Sequence, residues 1–175
     1  YHYGHRESRD VDIFVWNVSH LTLLTPRLNG EIEAEVDSYD ETAHSLKLRI
    51  GQGEIDFIAA PSLTAVPHEW HEVADLRVQV ETPAEIAVKK LFYRALELKV
   101  RDVVDIAAVL LRDRAALLAN LGVFRSRLPA LRKRLADLAR FYDREVGLLA
   151  VTDQQLARWA LDVVRAFLAE AAPGE

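Results

Sequence analysis

The sequence predicts an α+β fold, with a strand-built N-terminal half followed by a helical C-terminal half. Short segments before residue 81 alternate charged and apolar residues at period two. At Thr82-Pro83-Ala84-Glu85 the pattern changes, and apolar residues then recur at helical spacing. Half of the 175 residues are apolar, so the chain can bury a sizeable core. The expected domains are 1–81, strand-rich, and 82–175, helical.

In chain order, RDVDIFVW alternates and then turns apolar, as a strand with one buried face does. Asn29-Gly30 signals a turn, and the alternation of EIEAEV after it predicts a second strand. SLKLRI and EIDFIA flank Gly51-Gln52-Gly53 and predict a hairpin. LRVQV is a short last strand. Thr82, Pro83 and Glu85 supply an N-cap, a proline at the first helical position and a capping-box acid. A second helix is expected from about Arg101 to Leu121, ended by Gly122. A third is expected from Pro129 to Glu145, ending near Gly147, and a fourth, capped by Thr152 and Gln155, to about Ala171, before Pro173-Gly174.

Composition narrows the classes. The chain has no cysteine, so disulfides and thiolate metal sites are excluded. The apolar run VVDIAAVLL carries Asp105 and stops at Arg112, short of a membrane span. YHYGHRESRD is polar and does not read as a signal peptide, so a cytoplasmic protein without a membrane partner is expected. The chain opens at Tyr1 and holds no methionine, so its gene is expected to start upstream. Arginine outnumbers lysine 17 to 5, in keeping with a GC-rich bacterial source. The net charge of −5 hides an asymmetry: residues 1–75 hold 5 Lys/Arg against 14 Asp/Glu, and residues 76–145 hold 15 against 9. An acidic first part can concentrate cations and a basic second part can meet phosphate.

Asp10 and Asp12 lie two apart on an expected strand and project from one face. Such a pair repels itself unless a cation intervenes, and Mg²⁺ suits it because it takes oxygen ligands and completes its shell with water and phosphate. The alternative is a solvent-facing strand edge. Asp56 stands between apolar neighbours on a later strand, as a third carboxylate for phosphoryl-transfer chemistry or as an edge residue, and Glu54 on the same face competes for that role. Lys90 and Arg94 share one helical face, and Asp102 and Asp105 share a face of the next helix. Asp105 interrupts an apolar run and so calls for a partner, either a structural cation or a functional one.

Taken together, GHR-x-S-x-D-hydrophobic-D-hydrophobic-F, then EI-x-x-KKL-x-x-R, then RD-x-x-D resemble the AbiEii/MenT-like nucleotidyltransferase family, across roughly residues 4–110. The resemblance implies a nucleotidyltransferase-type mixed sheet with a helical C-terminal domain. It implies Mg²⁺ held by Asp10 and Asp12, beside which Asp56, read from its strand position, is the candidate third metal carboxylate. It places the family's lysine at Lys90, with Lys89 as neighbour, and its acidic pair at Asp102 and Asp105. It further implies an NTP substrate and an RNA acceptor such as a tRNA 3′ end, and in the functional reading of the helical spacing Lys90 and Arg94 meet the triphosphate charge. The biological setting implied is that of a toxin–antitoxin or phage-defence toxin with a cognate antitoxin. The family's first motif carries Gly-Gly or Gly-Ser some ten residues before the aspartates. That point precedes Tyr1, so truncation within the motif is expected. The alternative is a degenerate, non-catalytic member acting as a protein-interaction module. RSRLPALRKRLADLAR is either a phosphate-tracking surface or an amphipathic helix packed through Leu128, Leu131, Leu135 and Leu138. His68-x-x-His71 has metal-like spacing without an identifiable third ligand and is left unassigned.

Overall fold

A computed structural model describes residues 2–7 and 10–171. Ser8 and Arg9 of the first motif, and Pro173-Gly174, lie outside the described residues. The chain divides into two compact units, residues 8–62 and residues 1–7 with 63–175. The expected boundary at 81/82 therefore differs from the observed division, in which residues 63–81 belong with the helices.

In the first unit, β1 (Asp10–Val15) is followed by α1 (Ser19–Leu24), α2 (Gly30–Glu35), β2 (Ser38–Glu41), β3 (Ser45–Ile50) and β4 (Gly53–Ala59). The sheet order is β1-β4-β3-β2. β2, β3 and β4 form an antiparallel meander, and β1 joins β4 in parallel, so the sheet is mixed. The β3–β4 hairpin turns at Gly51, whose φ of 56° is left-handed and suits glycine. Asp37 Oδ2 accepts a hydrogen bond from the Gly51 amide at 2.7 Å and fixes that turn. Period-two alternation sends Leu46 and Leu48 into a core with Leu21, against which Val15, Ile32 and Phe57 pack. The same alternation sends Lys47, Arg49, Glu54 and Asp56 to the opposite face.

EIEAEV, expected as a strand, lies within and just after α2 instead. The Asn29 side chain accepts hydrogen bonds from the amides of Glu31 and Ile32, and Glu31 and Glu33 complement the positive end of the helix. Six residues are too few for period two to exclude a helix, and the cap decides the case.

In the second unit, β5 (His68–Val73) and β6 (Leu76–Glu81) form an antiparallel ribbon. Then come α3 (Pro83–Tyr93), α4 (Val100–Ala119), α5 (Leu121–Phe124), a 3₁₀ turn, α6 (Leu128–Leu138), α7 (Tyr142–Val146) and α8 (Gln154–Glu170). Their apolar stripes meet in one core that includes Leu91, Leu98, Ile106, Phe124, Leu131 and Phe167. Thr82 caps α3 as expected, accepting from the Glu85 amide, but Glu85 does not return the capping box. Its buried carboxylate accepts from the amides of Leu63 and Thr64 and from the Thr64 hydroxyl, at 2.9, 2.8 and 2.7 Å. This draws the segment after residue 62 onto the helices.

Four features of the helices differ from expectation. α4 breaks at Asp113, whose φ of −147° is non-helical and whose side chain caps the Ala116 amide. Gly122 falls inside α5 rather than ending α4. The Pro129–Glu145 stretch is two helices, and Asp153, not Thr152, caps α8 by accepting from the Leu156 amide.

The β5–β6 turn places Ala74 and Asp75 at φ of 48° and 66°. Two left-handed central residues mark a type I′ turn, which favours Asn-Gly. A non-glycine residue there costs about 1–2 kcal/mol. The Ala74→Asn/Asp75→Gly double variant is expected to raise Tm by about 2–4 °C in thermal unfolding. An unchanged or lower Tm would contradict the turn assignment.

Candidate active site

On the polar face of the sheet, register sets the side chains in two rows. Asp12 pairs with Asp56, which pairs with Lys47 and then Asp40, while Asp10 pairs with Glu54, then Arg49 and Ser38. Asp10 and Asp12 are exposed on β1. Lys47 Nζ lies 2.5 Å from Glu54 Oε2 and 3.1 Å from Asp56 Oδ2. Its hydrogen bond holds the Glu54 carboxyl below the usual carboxylate range, and the same contact raises Lys47 above an ordinary lysine. Arg49 Nη2 donates to Asp40 at 2.6 Å, and Arg49 Nε reaches to 3.5 Å from Glu54.

The helical unit carries a second cluster. Asp105 projects from the apolar face of α4 and receives a two-point contact from Arg6: Nε to Oδ1 at 2.7 Å and Nη2 to Oδ2 at 2.8 Å. His5 Nε2 meets Oδ1 at 2.7 Å, and Lys90 Nζ donates to Oδ2. Among the described residues, His5 Nδ1 is buried with no hydrogen-bond partner. Asp102, at 0% exposure, accepts from the Lys99 amide, lies 3.2 Å from Lys90 and accepts from Arg94 at 3.0 Å. Burial by itself would raise the Asp105 carboxyl, but hydrogen bonds from Arg6 and His5 and the Lys90 charge outweigh it and hold it well below the usual range.

His5 and Arg6 are held for this task by backbone pairing. Arg6 bridges Val151, the Glu7 amide donates to Ala150, and the Thr152 amide donates to His5. The sequence places His5 and Arg6 in the first motif without giving them a role. Lys47 is likewise a residue whose contacts with Glu54 and Asp56 sequence reasoning missed. The alternation of SLKLRI puts it on the polar face, and only the strand register brings it beside Asp56.

The chemistry of the donor set can be tested against Mg²⁺. Asp10 and Asp12 offer exposed hard oxygens from one face of one strand, and Asp56 holds the neighbouring register position on β4. Among the described residues no group of three His, Asp or Glu side chains could hold an ion by itself. The residues thus fit an ion held by two carboxylates and completed by phosphate oxygens and water, the common mode for Mg²⁺, rather than a closed protein cage.

The basic segment is partly spent on structure. Arg132 donates to the Leu168 carbonyl, Arg134 donates to the Leu98 carbonyl, and Arg127 stacks over Phe92. Leu128, Leu131, Leu135 and Leu138 are all buried, so the packing role of this helix is realised. His68 and His71 lie on β5, where His68 contacts Gln79 at 2.8 Å.

The chain thus combines a mixed sheet that carries two aspartates on one strand with helices that carry a basic–acidic cluster. The family model for the nucleotidyl transferase AbiEii toxin of type IV toxin–antitoxin systems matches residues 1–169, and the chain belongs to that nucleotidyltransferase family. Its fold is similar to the crystal structure of a proposed nucleotidyltransferase from H. pylori, with a TM-score of 0.51 and 16% identity over 97% of this chain and 80% of that one. No curated protein matches the chain in sequence.

The buried acid makes a stability prediction. Asp105→Asn leaves Arg6 and Lys90 desolvated beside a neutral group and is expected to cost about 3–5 kcal/mol. A depressed carboxyl stabilises the fold above its ordinary value of 3.8, and that contribution is lost as pH falls below it. In urea unfolding between about pH 5 and about pH 3, wild type is expected to lose more stability than Asp105→Asn. Equal losses would mean that Asp105 is not held as an ion.

Proposed function

We propose that this nucleotidyltransferase toxin is Mg²⁺-dependent and transfers NMP from an NTP to an RNA hydroxyl, with a tRNA 3′ end as acceptor. The observation that carries the reading is the placement of Asp10 and Asp12 on one exposed face of β1, with Asp56 in register on parallel β4, in a chain of this family.

Asp10 and Asp12 would hold Mg²⁺, which supplies charge neutralisation at the triphosphate. Asp56 accepts the proton of the acceptor hydroxyl. A bond forms between that oxygen and the α-phosphorus, the bond to the β-phosphate oxygen breaks, and pyrophosphate leaves. Lys90 and Arg94 of the helical unit are the candidate cations for triphosphate charge. Their pairing with Asp102 and Asp105 fixes where the two cations stand, so their positive charge needs little reorganisation during reaction. No helix among the described residues is long and apolar enough to cross a membrane. A cytoplasmic site of action suits an RNA acceptor, and a cognate antitoxin and a role in phage defence suit the family.

The test incubates the full chain with tRNA, Mg²⁺ and each labelled NTP in turn. Wild type is expected to label RNA, and Asp12→Ala to lower the rate by at least about 100-fold, as loss of several kcal/mol of charge stabilisation requires. No transfer by wild type, or equal transfer by the variant, would sink the proposal. Growth arrest on expression, relieved by the same substitution, is the expected cellular counterpart.

A further inference from the structure

The polar face of the sheet contains a cation of its own. Lys47 projects from β3 between Glu54 and Asp56 of β4, bonded to one at 2.5 Å and 3.1 Å from the other. Asp56 stands in register with Asp12 on its other side. Like charges directly opposite each other on neighbouring strands repel, and a cation beside one of them relieves the repulsion. The Lys47 side chain is about two-thirds buried, at 32% exposure, so its charge is only partly screened.

Resting on the reading of Asp10, Asp12 and Asp56 as the carboxylates of nucleotidyl transfer, we infer that Lys47 is the positioning residue for Asp56. Its ammonium draws the Asp56 carboxylate toward β3 and stands in for a metal ion there. A divalent cation bound at Asp10 and Asp12 gains Asp56 only by competing with that ammonium. Lys47 thereby keeps affinity for the bare cation low, and phosphate oxygens arriving with the substrate supply the ligands that the protein withholds. The structure carries this through the contacts of Lys47 with both β4 acids, the absence among the described residues of a three-ligand protein site, and the exposure of Asp10 and Asp12.

The experiment is Mn²⁺ titration of the nucleotide-free protein, followed by the electron paramagnetic resonance signal of free Mn²⁺. Lys47→Met is expected to bind Mn²⁺ about tenfold more tightly than wild type, since a unit charge within a few ångströms is removed. Adding Asp56→Asn to that variant is expected to abolish the gain, and Lys47→Arg to keep wild-type affinity. Lys47→Gln serves as the second neutral variant if circular dichroism shows Lys47→Met unfolded. Equal or weaker binding by the folded neutral variant, while Asp12→Asn abolishes binding, overturns the role of Lys47 and leaves the catalytic reading standing. A gain that survives Asp56→Asn also overturns it, because the effect is then only net charge. Mn²⁺ binding that ignores Asp12→Asn overturns both. No binding by any folded variant overturns the role of Lys47 alone, because the catalytic reading has substrate phosphates complete the metal's shell.

Discussion

Two carboxylates along an apolar helix, Asp102 buried and Asp105 largely so, set the terms for the helical unit. Asp102 and Asp105 occupy α4 where Val103, Val104 and Ile106 are fully enclosed, and an ionised acid in such a place must be paired and hydrogen-bonded. The solution recruits three separate parts of the chain. Lys90 and Arg94 come from α3, His5 and Arg6 from the N-terminal segment, and the Lys99 amide from the end of the loop before α4. Replacing these groups by apolar side chains could leave packing intact, but it would remove the geometric demand that fixes α3 and residues 5–6 against α4. The ion cluster thus contributes specificity of arrangement, and the surrounding Val, Ile and Leu side chains contribute the burial energy.

The same logic explains which readings succeeded from sequence. The β3–β4 hairpin was legible because Gly51 meets a local backbone need and flanking alternation fixes the faces. The start of α3 was legible because Thr82 and Pro83 act within one turn. The need of Asp105 for a partner was legible because a charge interrupts an apolar run. Each of these is local. What escaped depends on partners far away in sequence. Glu85 has the spacing of a capping-box acid, yet Leu63 and Thr64, some twenty residues earlier, claim its carboxylate. Arg132 and Arg134 look like phosphate ligands in a basic run, yet carbonyls of Leu168 and Leu98 take them. α2 was misread because alternation over six residues is shared by strand and helix, and the Asn29 cap breaks the tie.

Site residues followed a similar division. The face on which Asp10 and Asp12 lie follows from strand periodicity alone. That Asp56 is the residue beside Asp12, and that Glu54 lies beside Asp10, requires the β1–β4 register, which no local signal gives. Glu54 and Asp56 were indistinguishable candidates in sequence because they share a face. The register separates them, and Lys47 then binds both.

The two clusters answer opposite electrostatic problems. In the helical unit the cations come to the acids, so Asp105 remains ionised and the charge is met at fixed positions. On the sheet, the described strand residues of the polar face include five carboxylates, Asp10, Asp12, Asp40, Glu54 and Asp56, against the two basic side chains Lys47 and Arg49. Lys47 meets Glu54 and Asp56 of β4, and Arg49 meets Glu54 of β4 and Asp40 of β2. The acidic excess of residues 1–75 is thus partly gathered on this face, where strand register, rather than burial, decides which carboxylates Lys47 and Arg49 meet.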